Sequence, residues 1–266
     1  MPSFRSLLFV PALKPERFAR AIASGADAVC IDLEDAVAPA DKPQGRAEAV
    51  AYLQAARSGV AVGVRINAVT TEWCAADAAE AGPLADFVMV PKAESAEQLA
   101  QIAKAAPGKP LWPLVETGEG LRRAWEIAAA PGVQGVLFGA FDYSADVGCT
   151  MEWEPLLFAR GQLAAACGRA RVELLDAPSG DIRDGAALEA STRRAKALGF
   201  TGRSCIHPDQ VAVVNTVFTP TEAELAQARR IVEAFDAAAG QAAQLDGKLI
   251  ELPVALAARR VLGRAR

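Results

Sequence analysis

Eight strand candidates, most of them short apolar runs followed by a helical pattern, constrain this chain more than any other feature. They are Leu7–Val10, Ala28–Leu33, Ala61–Ile66, Phe87–Pro91, Leu111–Val115, Gly135–Phe138, Val172–Leu175 and Arg203–Ile206. Most lack polar–apolar alternation, as strands covered on both faces do. Helical stretches lie between them. Glu16–Ala23 follows Pro15 and stops at Gly25, and Ser95–Ala105 opens on a Ser-x-x-Gln box. Glu119–Ala129 ends at Pro131-Gly132, and Ala187–Leu198 ends at Gly199. Repeated strand–helix alternation with right-handed crossovers closes most simply as a TIM (β/α)8 barrel, an α/β fold. A doubly wound open sheet fits less well. No GxGxxG follows the first strand, and polar residues leave nearly every strand instead of clustering at one switch point.

The expected domains are a barrel over residues 1–218, carrying a metal and substrate site, and a C-terminal helical extension over 219–266. In the extension, Thr219-Pro220-Thr221-Glu222 reads as an N-cap, a proline at N1 and a capping glutamate. Leu225, Ala228, Val232 and Phe235 then form an apolar helical stripe that Gly240 breaks. Leu245–Glu251 reads as a turn with a short extended piece, and Leu252–Leu262 as a second helix. Such a segment is too small to fold alone and must pack on its own barrel or on a neighbour.

Of the 266 residues, 52% are apolar, enough to bury a large core. The net charge of −4 and the absence of a long basic run exclude nucleic acid as an expected partner. Apolar stretches are interrupted well before the roughly 18 residues a membrane span needs. Leu7–Val10 is stopped by Pro11, short of a secretory core of about 7–15 residues. A cytoplasmic protein with no membrane partner is expected. The five cysteines are scattered without CxxC spacing, which argues against a disulfide framework and against zinc.

Acids and bases leave the strands: Asp32, Glu34 and Asp35; Arg65 and Asn67; Lys92; Glu116; Asp142; Asp176; His207. The C-terminal rim of a parallel barrel is where such residues do chemistry. Unpaired charges near a core cost several kcal/mol, so this concentration needs a partner. Glu116 and Asp142 leave the adjacent fifth and sixth strands, about 4.8 Å apart. Their carboxylates can share a hard divalent cation such as Mg²⁺, or each can pair with a nearby Arg or Lys. Arg65 can fork onto a substrate carboxylate or bridge to Asp32 or Asp35. Lys92 is a Schiff-base candidate or, more commonly at such a position, an ion-pair partner. His207, the one histidine, suits capping or packing better than a general base.

Seven motifs in order carry a resemblance. They are Arg5-Ser6-Leu7-Leu8-Phe9-Val10-Pro11, Asp32-Leu33-Glu34-Asp35-Ala36-Val37, Val64-Arg65-Ile66-Asn67, Val90-Pro91-Lys92-Ala93-Glu94-Ser95, Leu114-Val115-Glu116-Thr117, Gly139-Ala140-Phe141-Asp142 and Cys205-Ile206-His207-Pro208-Asp209-Gln210. Together they resemble the citrate lyase β-subunit-like proteins of the HpcH/HpaI aldolase family. The resemblance implies a Mg²⁺-dependent TIM barrel that makes or breaks a carbon–carbon bond in an acyl-CoA thioester of malyl, citramalyl or citryl type. The products are a 2-oxo acid and acyl-CoA, or the reaction runs in reverse.

By the same resemblance Glu116 and Asp142 are metal ligands, with Glu116 also at the substrate. Arg65 binds substrate and stabilises charge, and Glu34 and Asp35 form the acidic motif. Because CoA carries phosphates, Lys14 and Arg17 near the first strand are candidates to hold them, with Arg5 toward the acyl end; the alternative is ordinary surface charge. A homo-oligomer, a trimer or a multiple of it, is the family expectation, with the tail serving a neighbour's site.

Two departures stand out. Glu251 takes the place of an aspartate credited with proton transfer, and its arm is one methylene longer. A shift of about 1 Å can cost roughly 10²-fold, so slow or thioesterase-like activity is an alternative. Phe141 stands where many relatives carry a second acid. The motifs are also compatible with a subunit active only within a citrate lyase assembly and with a CoA-free 2-oxo acid aldolase. The aldolase normally uses a histidine after the second strand, where this chain has Asp35.

Overall fold

The computed structural model describes residues 3–55 and 59–265; Met1, Pro2 and Arg266, at the ends of the expected domains, lie outside them. The strands are β1 (Ser6–Pro11), β2 (Ala28–Asp32), β3 (Ala61–Arg65), β4 (Val88–Val90), β5 (Leu111–Val115), β6 (Gly135–Phe138), β7 (Glu173–Asp176) and β8 (Gly202–Cys205). All neighbours pair in parallel, and β1 closes on β8 with Leu7 opposite Ser204. The result is a closed barrel in sequential order, the predicted TIM topology. Its helices are α1 (Phe18–Ile22), α2 (Lys42–Gln54), α3 (Cys74–Glu80), α4 (Ala96–Ala105), α5 (Gly118–Arg122), α6 (Ala124–Ala128), α7 (Ala140–Val147), α8 (Leu157–Ala170), α9 (Gly185–Leu198) and α10 (Pro208–Phe218). No helix among the described residues is long and apolar enough to cross a membrane.

The predicted strands sit within a residue or two of the observed ones and Ser95 holds as the cap of its helix, but the tail helix starts two residues late and one helix divides. Ser95 caps α4 by accepting from Gln98 N, while Gln98 Oε1 takes Glu94 N at 2.7 Å, one residue before the expected reciprocal bond. The stretch 119–129 divides at Arg123, where Gln162 Nε2 engages Leu121 O at 2.6 Å from outside the helix. In the tail the cap is Thr221 and not Thr219: Thr221 Oγ1 accepts from Glu224 N, and Glu224 Oε2 accepts from Thr221 N at 2.7 Å.

The barrel interior is apolar at its N-terminal end. Phe4, Leu7, Ala28, Cys30, Phe87, Met89, Trp112, Leu114, Leu137 and Leu175 form one buried cluster. Phe4 stacks on Trp112 with ring centroids 5.1 Å apart and meets Phe87 at 5.6 Å. Gly63 and Gly135 make room for these rings, since a methyl on either would collide with Phe87 or Trp112 respectively.

The chain forms two compact units, Met1–Asn215 and Thr216–Arg266. The second contains α11 (Glu222–Ala237), an antiparallel hairpin of β9 (Ala243–Leu245) and β10 (Lys248–Ile250), and α12 (Leu252–Leu262). Asp246 and Gly247 turn the hairpin with positive φ of 50° and 75°. Phe235, Ile250 and Ala255 make its small core.

Candidate active site

Parallel strands all deliver their last residues to one rim. Asp32 ends β2 and Arg65 ends β3, and the two lie opposite in register. Arg65 forks onto Asp32, Nε to Oδ1 at 2.7 Å and Nη2 to Oδ2 at 2.6 Å. Its Nη1 contacts Glu34 Oε2 at 3.0 Å and Asp35 Oδ2 at 3.4 Å. The guanidinium also lies 5.0 Å from the centre of the Phe9 ring. Burial opposes the Arg65 charge, but Asp32, Glu34 and Asp35 outweigh it and raise its pKa. Arg65 is thus a permanent cation held in one orientation. Asp32 in turn accepts from the backbone N–H of Glu34 and Ala36, at 2.9 and 3.2 Å, which shapes the acidic turn itself.

Lys92 follows β4 with a left-handed φ of 47°, a conformation that an L-residue adopts only when its surroundings enforce it. Its backbone N–H donates to Glu116 Oε1 at 2.8 Å, and its ammonium reaches Glu34 Oε1 at 2.8 Å and Asp142 Oδ1 at 3.7 Å. Burial lowers the Lys92 pKa, yet the hydrogen bond to Glu34 and the fields of Glu116 and Asp142 leave it raised. The geometry places Lys92 in the ion-pair role, bridging Glu34 and Asp142.

Glu116, directly after β5, is 1% exposed. Burial, then Glu34 and Asp142, push its carboxyl up to about 8. Glu34 is raised as well, chiefly by burial. Asp142 lies in the first turn of α7, directly after β6, with its side chain 39% exposed. The backbone opposite Glu116 is Gly139, where a methyl would overlap Glu116 Oε2. Asp32, Asp35, Arg65, Glu116 and Asp142 all line one cavity of about 320 Å³.

The donor set fits a hard cation. Two carboxylate side chains from adjacent strands face one cavity, and glycine keeps the space beside one of them clear. Among the described residues no group of three or more His, Cys, Asp or Glu side chains forms a full metal cage. A two-carboxylate site is what an ion that retains several waters needs.

The structure brings together Glu34, Asp35, Arg65, Glu116 and Asp142. Arg17 lines an adjoining cavity of about 270 Å³ with Arg20 and His207; the two cavities share Phe9, Pro11 and Ile206. Lys14 is exposed in the preceding turn and lines neither cavity. His207 Nδ1 accepts from Asp209 N at 3.3 Å in the first turn of α10, the capping role expected of it.

Arg5 requires a correction. It precedes β1 at the N-terminal end of the barrel, where it donates to Asp27 through N, Nε and Nη2 at 2.8, 3.0 and 2.8 Å. A whole strand separates it from the rim, so it does not reach the acyl end of a substrate there. Glu251 belongs to the second unit, exposed at the start of α12, where its side chain makes no capping bond.

Sequence reasoning missed the supports of the acidic turn. Lys42 Nζ donates to Leu33 O at 2.8 Å and Glu34 O at 2.6 Å, and Asn67 Nδ2 donates to Leu33 O at 3.0 Å and Asp77 Oδ2 at 2.6 Å. Asp77 is fully buried and meets Arg46 Nε at 3.2 Å. Asn67 was visible as a strand exit. Lys42 and Asp77 sit in helices, where a single charged residue reads as part of an ordinary solvent face.

Comparison with known proteins agrees with this geometry. The chain is 35% identical to a (3S)-malyl-CoA thioesterase of Cereibacter sphaeroides over 98% of its length and 94% of that protein. It is 34% identical to an L-malyl-CoA/beta-methylmalyl-CoA lyase of the same species, over 93% and 90%. The crystal structure of Mycobacterium tuberculosis CitE in complex with magnesium, acetoacetate and coenzyme A superposes with a TM-score of 0.85 at 36% identity, covering 99% of this chain and 98% of that one. Residues 169–266 match the family described as C-C bond lyase of the TIM-barrel fold. Residues 5–208 match the model of the HpcH/HpaI aldolase/citrate lyase family, and the chain belongs to that family.

Proposed function

We propose that this chain is a Mg²⁺-dependent carbon–carbon lyase. It opens a 3-hydroxyacyl-CoA thioester of malyl or citramalyl type to a 2-oxo acid and acyl-CoA, or runs the condensation. The observation that carries the reading is the rim itself: Asp32, Glu34, Asp35, Glu116 and Asp142 converge on Arg65 and Lys92 beside an open cavity. That excess of carboxyl groups over cations, with Glu116 and Asp142 at the cavity, suits a divalent cation that keeps several waters.

In this reading Glu116 and Asp142 hold the ion. Bound Mg²⁺ supplies Lewis acidity toward the oxygens of the oxo acid. Arg65 faces the cavity with its charge fixed by Asp32, so it stabilises negative charge developing on the substrate oxygen. A pre-oriented donor of this kind is typically worth about 10²–10³ in rate. Glu34 and Asp35 keep the guanidinium from swinging away, and Lys92 balances Glu34 beside the metal pair. Arg17, with Lys14 at the outer turn, binds the CoA phosphates. Glu251 acts as a proton carrier for the site of a neighbouring copy in a homotrimer or a multiple of one, within the cytoplasm.

The (3S)-malyl-CoA thioesterase among the relatives supports a second reading, hydrolysis of the same thioesters. One assay separates them. Purified chain with Mg²⁺ is given malyl-CoA and citramalyl-CoA, and oxo acid and free thiol are followed separately. Oxo acid without thiol supports the lyase, thiol without oxo acid supports hydrolysis, and neither product with any thioester ends both. Sedimentation of the purified chain tests the trimer: a monomeric mass would remove Glu251 from the site.

A further inference from the structure

The cavity at the rim has two unlike linings. Part is charged, and in that lining Arg65 is the one cation among the described residues. It is already forked onto Asp32 and touches Glu34 and Asp35. The rest is hydrocarbon, including Phe141, Pro178 and Ile206. Phe141 and Ile206 are large apolar side chains left 45% and 46% exposed. Phe141 precedes Asp142 in α7, so its ring stands next to the metal pair. Gly180, after β7, gives the ring its place: a methyl there would lie 3.3 Å from Phe141 Cζ.

This asymmetry bears on the oxo acid. One carboxylate finds Arg65. A second carboxylate would fall on hydrocarbon or beside Asp35 and Asp142, where the nearby ammonium of Lys92 is already paired with Glu34 at 2.8 Å and does not line the cavity. An alkyl group in the same place is buried against Phe141 and Ile206 instead. We infer that the 2-oxo acid of this site is a monocarboxylate with a hydrocarbon substituent, methyl or larger, and that Phe141 sets this preference. The inference rests on the lyase reading above. In the condensing direction the acyl α-carbon gives up a proton, and its electron pair forms the bond to the oxo carbon. The oxo oxygen takes up a proton and becomes the hydroxyl, with no other reactant consumed.

The test offers the full chain, with Mg²⁺ and acetyl-CoA, a panel of glyoxylate, pyruvate, 2-oxobutyrate and oxaloacetate. The hydroxyacyl-CoA products are then quantified. Pyruvate or 2-oxobutyrate should exceed glyoxylate by about tenfold or more in kcat/KM, the usual worth of one methylene in an apolar pocket, and oxaloacetate should rank last. Phe141→Ala should lower the ratio of alkyl oxo acid to glyoxylate about tenfold. Phe141→Lys should raise oxaloacetate relative to pyruvate. The side chain is half exposed, so both variants should fold. A wild-type preference for glyoxylate or oxaloacetate, or an unchanged ratio in Phe141→Ala, overturns the inference and leaves the lyase reading standing. No condensation with any oxo acid, together with no cleavage of malyl-CoA or citramalyl-CoA, removes both.

Discussion

The two ends of the barrel are made from the same eight strands and are filled in opposite ways. At the N-terminal end Phe4, Phe87 and Trp112 close the interior with rings, and glycines on β3 and β6 give way to them. At the C-terminal end the strands stop in Asp32 and Arg65, and a cavity of about 320 Å³ remains open. Dispersion and hydrophobic burial hold the first end, and they need only volume and shape. The second end is held by ion pairs and hydrogen bonds, which need particular atoms in particular directions. Changes at the ring end should therefore read out as stability, and changes at the charged end as chemistry.

The sharpest way to break that contrast is Arg65→Lys. The variant keeps the charge but loses the fork onto Asp32. We expect kcat/KM to fall about 10³-fold, the upper range for a pre-oriented donor, with Mg²⁺ affinity within a few-fold of wild type. Steady-state kinetics beside calorimetric metal titration would check this; a loss of less than tenfold would mean that charge, and not orientation, is what Arg65 contributes.

Gly63→Ala tests the other end. The added methyl meets the Phe87 ring inside the closed barrel, and overpacking of that kind costs about 3 kcal/mol. Denaturant unfolding should show the loss, while turnover per folded molecule stays at the wild-type level. Adding Phe87→Leu should recover part of it, since the two sites are in contact. Full stability in Gly63→Ala alone would show that the rings are looser than their contacts imply.

Glu116 links stability to chemistry. In the metal-free protein burial holds its carboxyl near 8, while an unfolded chain releases that proton near the ordinary value of about 4.3. Between those values the native state carries the extra proton, so stability falls as pH rises, by up to about 1.4 kcal/mol per pH unit from this group. Glu116→Gln should flatten the slope between pH 5 and 8 and abolish Mg²⁺ binding. Unfolding curves at four pH values without metal decide the first point, and identical slopes in the two proteins would count against it.

How far the sequence could be read follows the same division. Barrel strands announce themselves because burial on both faces favours apolar runs, so all eight were visible, and polar exit residues could be named for all but the first. Pairings among those exits were not visible. Whether Arg65 binds Asp32 or Asp35 depends on a few ångströms of loop, and the structure gives it both, with the fork on Asp32. Lys42 and Asp77 left no trace, because a buried charged residue in a helix has the same spelling as an exposed one. Arg5 misled for a related reason. Sequence distance to β1 is short at either end of the strand, and which end a residue occupies decides whether it faces chemistry or filler.

Arg5→Ala carries the smallest effect and bears most directly on that point. Arg5 holds Asp27 beside the ring-filled end through its backbone and side chain, at 2.8–3.0 Å. The side chain is largely shielded, 23% exposed against 9% for Asp27, so its loss should cost about 1 kcal/mol, as for a charge-assisted bond near the surface. The kcat and the KM for the thioester should both stay within about twofold of wild type, because the rim lies a strand's length away, about 16 Å over five residues. A tenfold rise in KM for the thioester with unchanged stability would reverse the assignment. It would also blur the division between the two ends, since a residue at the filled end would then be touching substrate.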